Sequence, residues 1–223
     1  QDSLHFLSTH ATYLAGEDIL RCKGVREIAV ADSRIFPDSS LITVRRGAEI
    51  DELQDARLIA NATTRYHLVG RGALKIEGRY GFRGSGEYQY KGADKTLQTL
   101  ILDNIGVNES IETFGTGRVY ARDAFMLDPQ FQFAGDFTMM AGDEFLTFSG
   151  GAQMTKTCRQ FQPSWIQFEA PINPSAVAIP VPEQPLDVDG DPLACGMMFS
   201  SRAPFNLYPA FLDPLAEESE RPV

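Results

Sequence analysis

Three aspartates at alternate positions form the most chemically suggestive motif of this chain. Asp187, Asp189 and Asp191 lie around Gly190 in the run Asp-Val-Asp-Gly-Asp. Calcium binds several hard oxygen ligands, and carboxylates on alternate residues of a short loop supply them. The motif is not an EF-hand loop, because its glycine comes too early and Met198 stands where a bidentate glutamate is required. A solvated aspartate–glycine turn is therefore the favoured interpretation, with a calcium site as the alternative.

Four aromatic residues recur at strand spacing in the middle of the chain: Tyr80, Phe82, Tyr88 and Tyr90. An exposed strip of aromatic rings would contact sugars or lipid chains. Aromatic residues in strands more commonly belong to the core, because each buries a large apolar area. These four residues are the candidate ligand-binding residues, and a core role is the alternative.

A paired-carboxylate catalytic site is conceivable at Asp32 and Asp55, as in polysaccharide-cleaving β-helices. The two aspartates occupy equivalent positions of a repeat, and Arg34 and Arg57 stand at the matching position beside each. Repeated environments suit a structural column of charges, whereas acid–base catalysis requires two carboxyl groups in unlike environments. We therefore predict no catalytic residue, and a glycan-cleaving enzyme remains an alternative.

Histidine and cysteine offer no metal motif. No two of the histidines have metal-ligand spacing, so each is expected to be an ordinary surface or strand residue: His5, His10 and His67. The cysteines match neither a zinc site nor a dense disulfide framework: Cys22, Cys158 and Cys195. One disulfide with one free thiol, or three buried cysteines, would both fit. No cofactor is predicted apart from the calcium alternative.

The elements that position these residues follow a repeat. Three seven-residue segments share a pattern and start 22 and 23 residues apart: 10–16, 32–38 and 55–61. A fixed period of this length is typical of stacked β-rungs, each packed on its neighbour. The equivalent apolar residues Tyr13, Ile35 and Leu58 are expected to stack in adjacent rungs. Chance similarity between short strand segments is the alternative.

Two further columns of the repeat predict chain reversals. The first holds residue types that tolerate a left-handed backbone: Gly16, Asp38 and Asn61. The second is all glycine: Gly24, Gly47 and Gly72.

Longer strands are expected to follow the repeat. Apolar and polar residues alternate through 74–83 and 130–139, the pattern of a strand with one buried face. All of the 13 prolines except Pro37 and Pro129 lie from Pro163 onward, which predicts short edge strands and extended coil there. The predicted strands of this region are 165–170, 177–181 and 195–200.

We therefore expect an all-β fold in three segments. A β-solenoid or jellyroll-like stack of rungs occupies 1–76, long antiparallel strands of the same body occupy 77–160, and a proline-rich segment of edge strands and tail wraps the body over 161–223.

Charge and hydropathy narrow the function classes. The net charge of −10 disfavours nucleic-acid binding, which depends on clustered cations. The chain has no apolar run of about 18 residues that would span a membrane as a helix. It shows no charged-then-apolar leader, and its start at Gln1 is what a processed protein or an excised domain would show.

Several segments resemble parts of very large, uncharacterised envelope proteins of Gram-negative bacteria. The resemblance covers most of the chain through these runs: 31–61, 66–68, 85–90, 131–135, 165–168 and 179–182. It implies an extracytoplasmic β-rich module, in the cell envelope or secreted, that is part of a longer chain. The Ala-x-Tyr followed by Gly-Val, at Ala11, Tyr13 and Gly24, is also faintly similar to lipopolysaccharide-transport β-jellyroll repeats, in which an apolar trough carries acyl chains.

The function we predict is a non-catalytic structural or interaction module of the cell envelope that contacts a glycan or a protein partner. Such a stack needs capping, so neighbouring domains or self-association through a sheet edge are expected. A lipid or lipoglycan carrier is the other alternative, and it predicts an apolar trough.

Overall fold

The described residues form an all-β fold, which confirms the predicted class. The computed structural model describes residues 3–155, 164–199 and 207–212. Among them are 17 strands and two single-turn 3-10 helices, Arg46–Ala48 and Ala121–Asp123, with no α-helix. No helix in these ranges is long and apolar enough to cross a membrane.

The chain divides into two compact units, and the first consists of Gln1–Lys91, Leu97–Arg118 and Phe137–Leu146. Its strands are, in chain order, β1 (His5–Phe6), β2 (His10–Leu14), β3 (Ile19–Lys23), β4 (Ile28–Val30), β5 (Ser33–Phe36), β6 (Leu41–Val44), β7 (Glu49–Ala60), β8 (His67–Glu77), β9 (Phe82–Lys91), β10 (Leu97–Val107) and β11 (Thr113–Val119). Hydrogen-bonded neighbours follow the order β1-β4-β5-β7-β8-β9-β10-β11, and β2-β3-β6 form a branch that joins β7. These pairings are antiparallel.

Alternation of apolar and polar residues builds the core of this unit. In β8, Val69, Leu74 and Ile76 are fully buried, whereas Leu68 and Glu77 are exposed. Complete burial of a Val, Leu or Ile side chain contributes about 1.5–3 kcal/mol, so one face of each long strand supplies most of the driving force. The remaining face is solvated, as the alternation predicts.

A pair of β-bulges interrupts this alternation in neighbouring strands. In β7 the buried residues Leu53 and Ala56 are three positions apart, and the exposed Asp55 between them has a φ of 52°. In β8 the exposed Arg71, with a φ of 46°, separates Val69 from Gly72 in the same way. The register between the two strands shifts at both places. A bulge inserts one extra residue, bends its strand and increases the local twist.

The predicted stack of rungs is not confirmed. Ile35 and Leu58 are fully buried and lie opposite each other, but β5 and β7 run antiparallel. Tyr13 lies in β2 opposite Leu20 and is 60% exposed. Consecutive copies of a solenoid rung would place their equivalent strands parallel and in one column. The three segments therefore share an apolar pattern without sharing one column.

The predicted reversals hold at several positions. Asn61 has a left-handed φ of 59° in the turn after β7, and its carboxamide accepts the backbone N–H groups of Thr63 and Thr64. Gly24 and Gly47 have φ values of 76° and 80°, as the glycine column predicts. At the third position of that column the left-handed residue is Arg71, and Gly72 has no positive φ.

The second unit consists of Gly92–Thr96, Val119–Asp136 and Thr147–Val223. The remaining strands are β12 (Met126–Asp128), β13 (Phe131–Met140), β14 (Thr147–Met154), β15 (Ile166–Pro171), β16 (Ala194–Phe199) and β17 (Leu207–Leu212). β12 pairs with β13, β14 with β15 and β16 with β17, all antiparallel.

Four phenylalanines form the core of this unit. Phe133 makes edge-to-face contacts with Phe125, Phe148 and Phe168, with ring centroids 5.0–6.5 Å apart. Edge-to-face geometry places the positive edge of one ring on the negative face of the next, and each such pair contributes about 0.5–1.5 kcal/mol beyond area burial.

The described part of the proline-rich region contains three strands, as many as predicted, but only two of them lie at the predicted positions. β15 and β16 correspond to the predicted strands 165–170 and 195–200, whereas 177–181 forms no strand. Pro180 and Pro182 remove the N–H groups that a ladder would need there. Farther along the chain, Asp187 forms an isolated bridge with Ile166 of β15, and Leu186 forms one with Pro192 across the aspartate turn.

Two glycines face each other across β13 and β14. A β-carbon on Gly150 would lie 2.5 Å from the carbonyl oxygen of Ala134 and 2.6 Å from the α-carbon of Gly135. The φ of Gly150 is 156° and that of Gly135 is 150°, values that residues with side chains rarely adopt. A glycine within a strand commonly marks a bulge or a close approach of another backbone, and at Gly135 it is a close approach.

We expect Gly150→Ala to lower the free energy of unfolding by about 2 kcal/mol or more, because backbone atoms cannot move away from the added methyl group. Gly70→Ala is the matched control in β8, where no atom lies within 4 Å of the added carbon. Urea denaturation followed by circular dichroism measures both. Equal stability of the two variants would contradict the close approach.

Candidate functional site

The four candidate aromatic residues do not share a surface. Phe82 and Tyr90 are each 3% exposed and belong to the core, so they do not present a face to a ligand. Tyr88 is half-buried on the same face of β9, and burial raises its pKa. Tyr80 is 55% exposed in the turn before β9. The core alternative describes Phe82 and Tyr90, because the side of β9 that carries them packs inward.

The aspartate motif forms a compact turn held by its own backbone. Asp187 Oδ1 accepts hydrogen bonds from the N–H groups of Asp189 and Asp191 at 2.9 and 2.8 Å. Gly190 has a φ of 90°, as the reversal requires. Within residues 3–155, 164–199 and 207–212, no group of three or more His, Cys, Asp or Glu side chains has a metal-binding arrangement. Calcium binding by Asp187, Asp189 and Asp191 stays a prediction, and the turn geometry is that of the favoured interpretation.

Asp32 and Asp55 have different surroundings. Asp32 accepts the N–H of Thr113 through both carboxylate oxygens, at 3.1 and 3.2 Å, and its Oδ1 accepts the Thr113 hydroxyl at 2.5 Å. The Ser33 hydroxyl lies 2.6 Å from Thr113 Oγ1 and donates to it, because the Thr113 hydrogen is already given to Asp32. Asp55 is exposed in the bulge of β7. The carboxylate of Asp32 thus holds the turn between β4 and β5 to the first residue of β11.

His67 is the first residue of β8, as the strand alternative predicts, and its side chain is fully buried. Its Nε2 lies 2.7 Å from the carbonyl oxygen of Asp143, and its Nδ1 lies 3.2 Å from the Tyr88 hydroxyl. A carbonyl only accepts, so Nε2 carries the hydrogen and Nδ1 accepts from Tyr88. Desolvation lowers the pKa of His67, while hydrogen bonds to the backbone of Asp143 and Met140 oppose that shift.

Cys22 is a buried free thiol. Desolvation raises its pKa, and a hydrogen bond with Ser8 acts in the opposite direction. A raised pKa reduces the thiolate fraction and therefore the reactivity of the sulfur. Cys195 lies in β16, and Cys158 falls outside the described residues.

A groove on the described part of the second unit is a candidate ligand-binding feature. It encloses about 230 Å³ and is lined by Ser149, Gln167, Phe168, Glu169, Pro182, Gln184 and Leu186. Its floor is the exposed face of β14 and β15, where Ser149 lies opposite Glu169 and donates to its carboxylate at 3.3 Å. One wall is the extended segment 182–186, which is attached to β15 by the hydrogen bond from Gln167 N–H to the Leu186 carbonyl oxygen at 2.9 Å.

Alternation places the lining side chains of this groove. Successive side chains of a strand point to opposite sides of the sheet. Because Ile166 and Phe168 of β15 are buried, Gln167 and Glu169 point to the exposed side. Trp165, the one tryptophan of the chain, is not part of the groove lining, but it lies against Gly151, the residue paired with the groove-lining Gln167. Gly151 pairs with Gln167, and a β-carbon at Gly151 would lie 3.0 Å from Trp165 Cε3.

Sequence reasoning missed this groove, the burial of His67 and the bonding of Asp32. The groove joins two segments that are distant in sequence, so no single motif contains it. The sequence did contain one indication of the groove's floor. The polar residues Gln167 and Glu169 alternate with Ile166 and Phe168, which favours a strand with one solvated face.

No family model, no curated protein and no solved structure matches the chain. The resemblance to envelope proteins therefore stays a prediction.

We expect Asp32→Asn to lower the free energy of unfolding by about 1.5–3 kcal/mol, since it weakens several charge-assisted hydrogen bonds at once. The matched control is Asp55→Asn, at an exposed left-handed position that asparagine tolerates, with an expected change within about 0.5 kcal/mol. Urea denaturation of both variants provides the comparison. A similar loss at both positions would show that Asp32 has no special structural role.

The lowered pKa of His67 predicts acid sensitivity. The unfolded chain binds the histidine proton at the ordinary value of 6.5, above the folded value, so acid favours unfolding. The stability that neutral His67 contributes to the folded state is fully present above pH 6.5, the ordinary pKa. This stability is lost as the pH falls below 6.5 toward the lower pKa of the folded state, and the loss is at most about 1.4 kcal/mol per pH unit. Measuring unfolding between about pH 5.5 and 7.5 tests this.

His67→Gln should flatten that pH dependence whatever it does to stability at neutral pH. His10→Gln, which alters an exposed side chain of β2, is the control and should keep the wild-type slope. A slope that survives in His67→Gln would assign the acid sensitivity to other groups.

Proposed function

We propose that this chain is a non-catalytic interaction module of the cell envelope, and that it binds a glycan through the groove beside Trp165. The observation that carries the proposal is the groove's lining, in which hydroxyl, carboxamide and carboxylate groups meet the apolar Pro182 and Leu186. Ligand sites combine apolar surface with a few convergent polar groups. Sugars present hydroxyl groups and apolar C–H faces, and this lining complements both.

Hydrogen-bonding capacity favours a sugar over a lipid chain. Gln167 and Gln184 each offer carboxamide donors and acceptors, and Glu169 offers a charged acceptor. An acyl chain would leave these groups without partners, at a cost of about 1–3 kcal/mol for each buried group. The lipid-carrier alternative requires an apolar trough and gains no support from this lining.

The size of the groove indicates a small contact on a longer ligand. A volume of about 230 Å³ lies below the roughly 300–1,000 Å³ of sites that enclose a drug-sized molecule. A polysaccharide would therefore place one or two sugar units in the groove while the rest of its chain continues over the surface.

The distribution of carboxylates supports a binding role. Glu169 is the one carboxylate among the groove-lining residues. Glycosidases of the common type place two carboxyl groups roughly 5–9.5 Å apart across the scissile bond. Asp32 and Asp55, the candidate catalytic pair, are not part of the groove lining. Binding without cleavage is the function that this arrangement supports best.

Titration with chitotetraose and with maltotetraose tests the proposal, because Trp165 beside the groove reports occupancy through its fluorescence and calorimetry gives the affinity. We expect one of these glycans to bind saturably. Gln167→Ala combined with Gln184→Ala should weaken that binding by about tenfold or more, since each lost hydrogen bond contributes about 1 kcal/mol. Gln89→Ala, on the exposed face of β9, is the control and should bind as the wild type does.

Two results would contradict the proposal. Saturable binding that is equal in the wild type and the double variant would place the ligand elsewhere, and an absence of binding to both glycans would remove the support for a glycan ligand. Reducing-end analysis of the same mixtures provides the test of catalysis, because newly formed reducing ends would show that the module is an enzyme.

A further inference from the structure

The strand β2 forms an open edge of the first unit. It pairs with β3 in the register His10 with Lys23 through Leu14 with Ile19, and it has no other strand partner among the described residues. Residues 10–13 are all exposed, and only Leu14 is half-buried. The outer backbone groups of this strand are therefore available to another strand.

A buried apolar row of the branch sheet ends at this strand. Ile42 and Cys22 lie opposite each other in β6 and β3 and are 2% and 1% exposed. The next residue of the row, Ala11 in β2, lies opposite Cys22 and is exposed. Tyr13, on the same side of β2, is 60% exposed. The inward side of β2 thus extends beyond the covered part of the core.

β2 also lacks the features that keep edge strands apart. Open edges usually carry charged side chains, proline or a bulge, which prevent pairing with another chain. The sequence of β2, His-Ala-Thr-Tyr-Leu, contains no proline and no aspartate, glutamate, lysine or arginine. Its pairing with β3 runs over five consecutive residue pairs without a register shift.

We propose that β2 pairs with β2 of a second copy of this chain, antiparallel and about a two-fold axis at Thr12. This register places Thr12 opposite Thr12, a favourable cross-strand pair, and sets the small Ala11 opposite the large Tyr13 and His10 opposite Leu14. A two-fold arrangement closes after two copies and forms a dimer, not a fibre.

Charge on the neighbouring strand is compatible with the pairing. Arg21 lies opposite Thr12 in β3, so the two copies of Arg21 are separated by three strand spacings, about 14 Å at roughly 4.8 Å per spacing. The Debye length is about 8 Å at physiological ionic strength, and repulsion between these exposed charges is largely screened. Because the shared edge is short, we expect a weak dimer whose population depends on protein concentration.

Analytical ultracentrifugation over about a hundredfold range of protein concentration tests the dimer. The wild type should dimerise, and Thr12→Lys should weaken dimerisation by about tenfold or more, because it places two like charges opposite each other. Thr99→Lys, at an exposed position of β10 that pairs with Gln89, is the control and should dimerise as the wild type does. Circular dichroism should show all three proteins folded alike.

Cysteine cross-linking tests the register separately. Thr12→Cys should form a disulfide-linked dimer under mild oxidation, whereas Thr99→Cys and the wild type, which share the native cysteines, should not. A wild type that stays monomeric at every concentration would overturn the proposal. That result would also be expected if β2 pairs with a strand of a different protein. Dimerisation unchanged in Thr12→Lys, or equal cross-linking of the two cysteine variants, would also overturn it.

Discussion

The bonding of Asp32 to Thr113 is the interaction on which the first unit depends. The carboxylate of Asp32 accepts both the backbone N–H and the hydroxyl of a residue 81 positions away in sequence. The carbonyl of Asp32 accepts Ala62 N–H, and the carbonyl of Thr113 accepts Ala141 N–H. Four chain segments therefore meet around one carboxylate. Closing loops of this length costs conformational entropy, and charge-assisted hydrogen bonds in a partly buried place offset part of that cost.

The strands were predictable where alternation is regular, and their pairing was not. The pattern around 130–139 correctly predicts β13, because each apolar residue there has a polar neighbour that faces solvent. The repeat similarly places Ile35 and Leu58 on buried faces. Periodicity says which face is buried but not which strand lies alongside, since partners are chosen by loops and by contacts distant in sequence. The common pattern of the three segments therefore predicted one stack of rungs, whereas Ile35 pairs with Leu58 across antiparallel strands and Tyr13 pairs with Leu20.

Candidate site residues were harder to predict for the same reason. The aromatic residues of β9 have the spacing of a strip, and the side of the strand they occupy decides whether they bind a ligand or fill the core. The groove takes Gln167 from β15 and Gln184 from a coil segment, which come together through the hydrogen bond at Leu186 and the bridge between Ile166 and Asp187. The aspartate motif was simpler, because a turn of five residues forms its own hydrogen bonds and local sequence suffices to predict it.

The two bulges of β7 and β8 bend and twist the sheet locally, and each bulge depends on one extra residue. Asp55 and Arg71 are each the extra residue between buried positions of their strands, and both side chains are exposed. Removing the pair would restore strict alternation from Leu53 onward in β7 and throughout β8, and it would leave every buried side chain on its present face. The bend and twist at this place can thus change through deletion without any substitution in the core. In evolutionary terms, sheet shape and core composition are separable here, and chains of slightly different length can retain one hydrophobic interior.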